Sequence, residues 1–226
     1  AGYSNTTGSN WTANGLRAGY SNTTGNDWTA NGCQAGYSNT TGSNWTANGS
    51  RAGYSNTTGG DWTANGMLAG YSNTTGSNWT ANGMYAGYSN TTGSNWTANG
   101  YTAGYSNTTG INWTANGFQA GRYLSDGLTG AQVFNNSTYF GANTKVSAES
   151  VTNENVFGYN ATGAGSNTVA LGDANIIKTI IASPKITGQD TTGAGSTANI
   201  GMMRYFNGHF YGLIAGAPPL WKQLDN

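Results

Sequence analysis

The chain has 226 residues, of which 7% are charged, with 8 basic and 8 acidic side chains and no formal net charge. That balance removes the electrostatic footprint that binding to nucleic acid or an anionic membrane surface requires, and no stretch reaches the apolar length of a membrane span. With 37 glycines and 3 prolines but no Gly-X-Y period, the chain is neither collagen-like nor charged enough for a solvated tail, so an ordered β protein is expected.

From Ala1 to Gln119 the sequence is seven consecutive copies of the seventeen-residue unit A-G-Y-S-N-T-T-G-x-[ND]-W-T-A-N-G-x-x. A period this short makes each unit one turn of a solenoid, because a lone segment of that size cannot bury a face without neighbours. Gly and Asn punctuate the unit every few residues and no run of helix formers occurs, which predicts a β coil of two short strands joined by tight corners. The copies differ mainly at positions nine, ten, sixteen and seventeen, read as the freest slots. Gly15, Gly32, Gly49, Gly66, Gly83, Gly100 and Gly117 close the coils as corner glycines.

In the closing strand, exemplified by the six residues Asn26 to Asn31, alternation puts Trp and Ala on one face and Thr and Asn on the other. Stacking then aligns Trp11, Trp28, Trp45, Trp62, Trp79, Trp96 and Trp113 in one file, and Tyr3, Tyr20, Tyr37, Tyr54, Tyr71, Tyr88 and Tyr105 in another. An indole file either fills the coil interior or a seam between chains, or forms an exposed platform for sugar rings. Burial is the preferred reading, since the unit otherwise offers only Ala, Thr and Ser to a core. Asn5, Asn22, Asn39, Asn56, Asn73, Asn90 and Asn107 are placed to form an amide ladder. Cys33, the only cysteine, occupies a variable slot and excludes a disulfide framework within the chain. The N-T-T and N-W-T triplets are formal glycosylation sequons expected by chance in such a repeat.

Residues 120–153 read as a degenerate transition, followed at 154–182 by coils of fourteen residues. Gly15-x-x-Ala18 runs to Gly32, whereas Gly158-x-x-Ala161 runs to Gly172, so the long coil is the short one plus three residues. The segment from Asn155 to Gly172 resembles the head repeats of trimeric autotransporter adhesins and related repeats of bacteriophage tail fibres. The longer N-T-T-G-x-N-W-T-A-N-G units are similar to repeats of tail-fibre proteins. The resemblance covers Ala1 to about Ile177 and implies a parallel β-roll in a homotrimer. One departure is that the aliphatic pair Val169 and Leu171 is replaced by Thr12 and Asn14 in the long coils.

Residues 183–226 form the last predicted region, a small β-hairpin tip or plug. Met202 to Phe206 and His209 to Ile214 flank Asn207-Gly208, a turn pair suited to positive φ. The pattern G-x-x-R-Y … F-x-G … W-x-x-L resembles the C-terminal region of phage tail-fibre and other virion structural proteins. Tyr205, His209, Phe210, Tyr211 and Trp221 are the candidate tip contacts, with a trimer-locking plug as the competing role.

No catalytic function is expected. The acids Asp126, Glu149, Glu154, Asp173, Asp190 and Asp225 lack a paired spacing, no His/Cys cluster has metal-ligand spacing, and no cofactor motif occurs. The resemblance implies a virion appendage that spaces and attaches to a glycan or protein of a host surface, without nucleic acid or membrane insertion among its partners. Two alternatives are a bacterial surface adhesin or extracellular filament and, less favoured, an ice-binding protein, whose threonines are usually spaced T-x-T. The start at Ala1 without a capping segment is read as a fragment or processed product in preference to an end that polymerises.

Overall fold

The computed structural model describes residues 1–173 and 175, together with strands at 203–206, 209–214 and 220–223. It is all β, with no helix among the described residues. Each repeat contributes one Trp-Thr-Ala-Asn strand: β1 (Trp11–Asn14), β2 (Trp28–Asn31), β3 (Trp45–Asn48), β4 (Trp62–Asn65), β5 (Trp79–Asn82), β6 (Trp96–Asn99) and β7 (Trp113–Asn116). Neighbours pair parallel and in register, Trp on Trp and Ala on Ala, so each seventeen-residue unit is one coil of a parallel β-solenoid. The sheet continues through β9 (Thr138–Phe140), β11 (Glu154–Phe157) and β12 (Thr168–Leu171) to ten strands. Beside it, β8 (Phe134–Asn135) and β10 (Val151–Thr152) form a short parallel pair.

The strands are four residues long, not six, and each repeat has one strand, not two. The residue before each Trp, from Asn10 to Asn112, has φ of 54–57°. This is the left-handed region, where Asn and Asp are the least costly residues after Gly, so extended backbone begins only at Trp. The tenth slot is therefore restricted by backbone conformation. The seventeenth slot also adopts φ of 51–60°, although it carries Arg17, Gln34, Arg51, Leu68, Tyr85, Thr102 and Gln119. Coil-to-coil bonds such as Gln34 N–H to Leu16 C=O, 2.8 Å, hold it there.

On the other side of the coil, Asn22 N–H donates to Gly19 C=O and tightens A-G-Y-S-N into a turn. The segment still stacks: Gly19, Ser21 and Thr23 donate their N–H groups to the Ala35, Tyr37 and Thr40 carbonyls at 2.8–3.0 Å. The corner glycines stack directly on one another. Gly49 has φ 135°, and a Cβ there would lie 2.6 Å from the Gly66 carbonyl oxygen, so no side chain fits.

Where the written repeat decays, the solenoid does not. The coil beginning at Ala120 is lengthened: its residues meet partners 24 positions away in the preceding coil, against 17 within the repeats. The added chain leaves the shaft as an excursion closed by a bridge between Tyr123 and Gly130. Within it, Asp126 accepts hydrogen bonds from the Leu128 and Thr129 N–H groups at 2.8 and 2.9 Å. The Thr129 hydroxyl and these two amides hold the Asp126 carboxyl below its ordinary range. The next step returns to 17 residues and the last is 14. The short step falls between Gly158 and Gly172, both at positive φ.

Lys178–Asn226 is a second compact unit. Its described strands β13 (Met203–Phe206), β14 (His209–Ile214) and β15 (Leu220–Gln223) form an antiparallel sheet in that order. The hairpin expected around Asn207-Gly208 is present as the pairing of β13 with β14, Phe206 opposite His209. The turn residues themselves lie outside the described residues. The third strand, β15, was not anticipated.

Candidate functional site

The indole file lies inside the coils of a single chain. Trp28, Trp45, Trp62, Trp79, Trp96 and Trp113 are buried, and consecutive indoles stack at 4.8–5.1 Å with planes 3–8° apart. Their faces are spent on one another, which leaves none for a sugar ring. Each N–H is satisfied within its own coil, as Trp28 Nε1 donates to the Gly25 carbonyl at 3.1 Å. Gly19 makes room for the ring, since a Cβ there would lie 2.5 Å from Trp28 Cη2. Trp11, stacked on one side only, is 43% exposed, against 2% for Trp28. Each buried indole removes about 200 Å² from water, on the order of 3–5 kcal/mol per coil as an upper bound.

Polar ladders run beside it. Asn22, Asn39, Asn56, Asn73 and Asn90 are fully buried; from Asn22 to Asn73 each Nδ2 donates to the next Oδ1 at 3.1–3.2 Å, Asn90 Nδ2 turns to the Gly110 carbonyl at 3.4 Å, and Asn5, expected in the ladder, does not join it. Asn107 ends the row by donating to the Phe134 carbonyl at 3.1 Å. A second amide ladder runs from Asn14 through Asn99 on the outward strand face at 2.8–2.9 Å. Sequence reasoning missed it, although the same in-register period pointed to it. That face therefore reads Thr-x-Asn with its amides engaged, a single threonine column in place of the paired one an ice-binding face uses.

The tyrosine file is half-buried from Tyr20 to Tyr105, with rings stacked at 5.0–5.3 Å. Tyr3 is exposed. Burial first, then the neighbouring phenols of Tyr105 and Tyr71, push the Tyr88 hydroxyl above its ordinary range. Arg122 sits between the rings of Tyr105 and Tyr123, 4.9 and 4.7 Å from their centroids.

Beyond β7 the filling changes. Register puts Ser137, Glu154 and Thr168 in the tryptophan slot and Tyr139, Val156 and Ala170 in the alanine slot. Phe134 and Tyr139 replace the indole with an edge-on pair at 4.9 Å. Glu154 is fully buried, and its carboxylate accepts from Tyr139 Oη at 2.8 Å, Gly165 N at 2.8 Å and Ser147 N at 3.2 Å. Burial, with the Glu154 carboxylate beside it, pushes the Tyr139 phenol far above its ordinary range.

The outward face changes too. Phe140, Phe157, Val169 and Leu171 stand where the repeats carry Thr and Asn, and are 37–64% exposed, with Phe118 and Tyr159 exposed at the adjoining corner. Between the excursion and the coils lies a crevice of about 180 Å³. In the second unit, Tyr205 pairs with Phe210, Tyr211 lies between Arg204 and Gln223, and Trp221 pairs with Leu213, so the candidate tip residues share one small sheet. Among the described residues no group of His, Cys, Asp and Glu is arranged to hold a metal, and no helix is long and apolar enough to cross a membrane.

The class this geometry defines is the parallel β-solenoid built of tandem repeats. Neither a protein-family model, nor a curated protein, nor a solved structure matches the chain.

Proposed function

We propose that the chain is a structural fibre protein of a phage tail or similar virion appendage, a homotrimer that holds an attachment surface away from the particle and against a host. Support comes from the change along one face of one sheet. The repeats present hydrogen-bonded Thr and Asn columns on this face and give a stiff spacer with few charges. The coils from β9 onward present Phe140, Phe157, Val169 and Leu171 to solvent. An apolar patch on a sheet face that elsewhere carries Thr and Asn marks a contact surface, and identical chains meeting there about a rotation axis would bury it three times over. Three copies at the end of one rod multiply weak receptor contacts through effective concentration.

The test is the native mass of the full chain at micromolar concentration. A three-chain particle is expected for the natural sequence. The triple variant Phe140→Ser, Phe157→Ser, Leu171→Ser is expected to run as a folded monomer with the far-ultraviolet spectrum of the parent. A monomeric parent overturns the trimer, and an intact trimer of the variant overturns the seam.

A further inference from the structure

We propose that the crevice beside the excursion is a binding site for a small carboxylated polyol, of the uronic-acid sugar type. Gln119, Asn143 and Asn160 occupy the seventeenth slot of three successive coils, all at φ of 55–57°, and so stand in file on one side of the shaft. Along the earlier coils nothing rises beside this file. Here the excursion does, and Gln119, Tyr123, Gly127, Asn143, Lys145 and Asn160 enclose a space of about 180 Å³, room for one sugar ring. Gly127 matters to the wall: a Cβ there would lie 3.5 Å from Lys145 Cε, so the lysine stem packs on the loop backbone.

The chemistry of the lining is unlike the rest of the rod. In the amide ladders elsewhere each side chain bonds the one in the next coil. The side-chain amides of Gln119 and Asn143 have no hydrogen-bond partner among the described residues, so each offers an N–H donor pair and a carbonyl acceptor, the pattern that vicinal hydroxyls require. Lys145 donates to Asn160 Oδ1 at 2.9 Å, which leaves two of its three N–H groups for a ligand. No carboxylate of these coils hydrogen-bonds to it: Asp126 accepts within its own turn, Glu149 from the Gln132 and Val133 N–H groups, Glu154 from Tyr139, and Asp173 from Asn175. An ammonium with no carboxylate bonded to it in a half-enclosed polar crevice selects an anion, and a fork of two amides beside a tyrosine ring selects a hydroxylated one over a bare carboxylate.

This adds a ligand to the attachment role proposed above, and the site lies within one chain, so it stands or falls apart from the trimer. Glucuronate, glucose and acetate are titrated against the full chain, with binding followed by ligand-observed nuclear magnetic resonance and native mass recorded on the same sample. Glucuronate is expected to bind at least fivefold more tightly than glucose or acetate. Lys145→Met, which keeps the stem packed on Gly127, is expected to erase the advantage over glucose. Asn143→Asp, which sets a resident carboxylate beside the ammonium, is expected to abolish glucuronate binding without changing the melting temperature. Failure of glucuronate to bind, equal binding of glucose, or indifference to both variants overturns the site. A monomer that still binds glucuronate overturns only the trimer.

Discussion

The coils of β1 to β7 and those of β9, β11 and β12 form one sheet yet solve the same interior in two ways. In the repeats a single large ring per coil faces Gly and Ala, and every coil is the same solution copied. In the later coils the bulk moves from the tryptophan slot to the alanine slot, as Ser137 and Tyr139 replace Trp113 and Ala115. Phe134 takes the place of the middle glycine. The filling changes place and composition while the strand register is kept. The repeats tolerate no carboxylate inside; the later coils admit Glu154 because three donors converge on it. Copying gives length, and departure from the copy gives distinctive surfaces.

Substitutions in the two regions sharpen this contrast. Trp79→Ala is expected to cost about 3–5 kcal/mol in chemical denaturation, because neighbouring coils are pinned by their own contacts and cannot close the gap; a cost under about 1 kcal/mol would remove the indole file from the core. Asn73→Ala leaves buried Asn90 Oδ1 without its donor and Asn56 Nδ2 with only the long contact to the Gly76 carbonyl. A loss of about 2–3 kcal/mol by the same measurement is expected. Glu154→Gln turns an amide donor toward donors, so a loss of about 1–2 kcal/mol is expected. It should appear as faster hydrogen exchange at Ser147 and Gly165 with the repeats unchanged, and exchange that accelerates equally in the repeats would show the two regions to be one cooperative unit.

Gln34→Asn suits the left-handed backbone at that slot better and is expected to raise stability by about 0.5 kcal/mol. Tyr139→Phe removes one of the three donors to buried Glu154 at every pH, a cost of about 1–3 kcal/mol, so at alkaline pH the comparison with the parent is one of slope. A phenol whose folded value lies above its unfolded value of about 10 keeps its contribution below that pH and loses it as pH rises beyond, since the unfolded chain then releases the proton first. Melting temperatures measured above pH 10 are expected to fall less steeply for the variant than for the parent.

The coil period, parallel pairing and Trp/Ala face were legible in the sequence because an in-register repeat makes every position its own neighbour. The shortened strands were not, because Asn10 and Asp27 read as free choices until their φ values show what they have in common. The coils of 120–160 were hidden for a similar reason: volume moved between slots, and a lengthened step broke the period that made the rest readable. The apolar outward face was visible only as the pair Val169 and Leu171. Its extension through Phe140 and Phe157 needed the register of β9 and β11. The crevice needed three dimensions, since Tyr123 and Asn160 meet only once the excursion folds back.

The amide ladders have an orientation. In the Asn22 and Asn14 rows every donor faces the following coil and every acceptor the preceding one, and the Thr23 hydroxyl bonds forward in the same sense. Backbone dipoles in such a sheet alternate and largely cancel, whereas these side-chain dipoles add. The solenoid is thereby electrically polar along its length, with the positive sense toward the coils that carry Lys145.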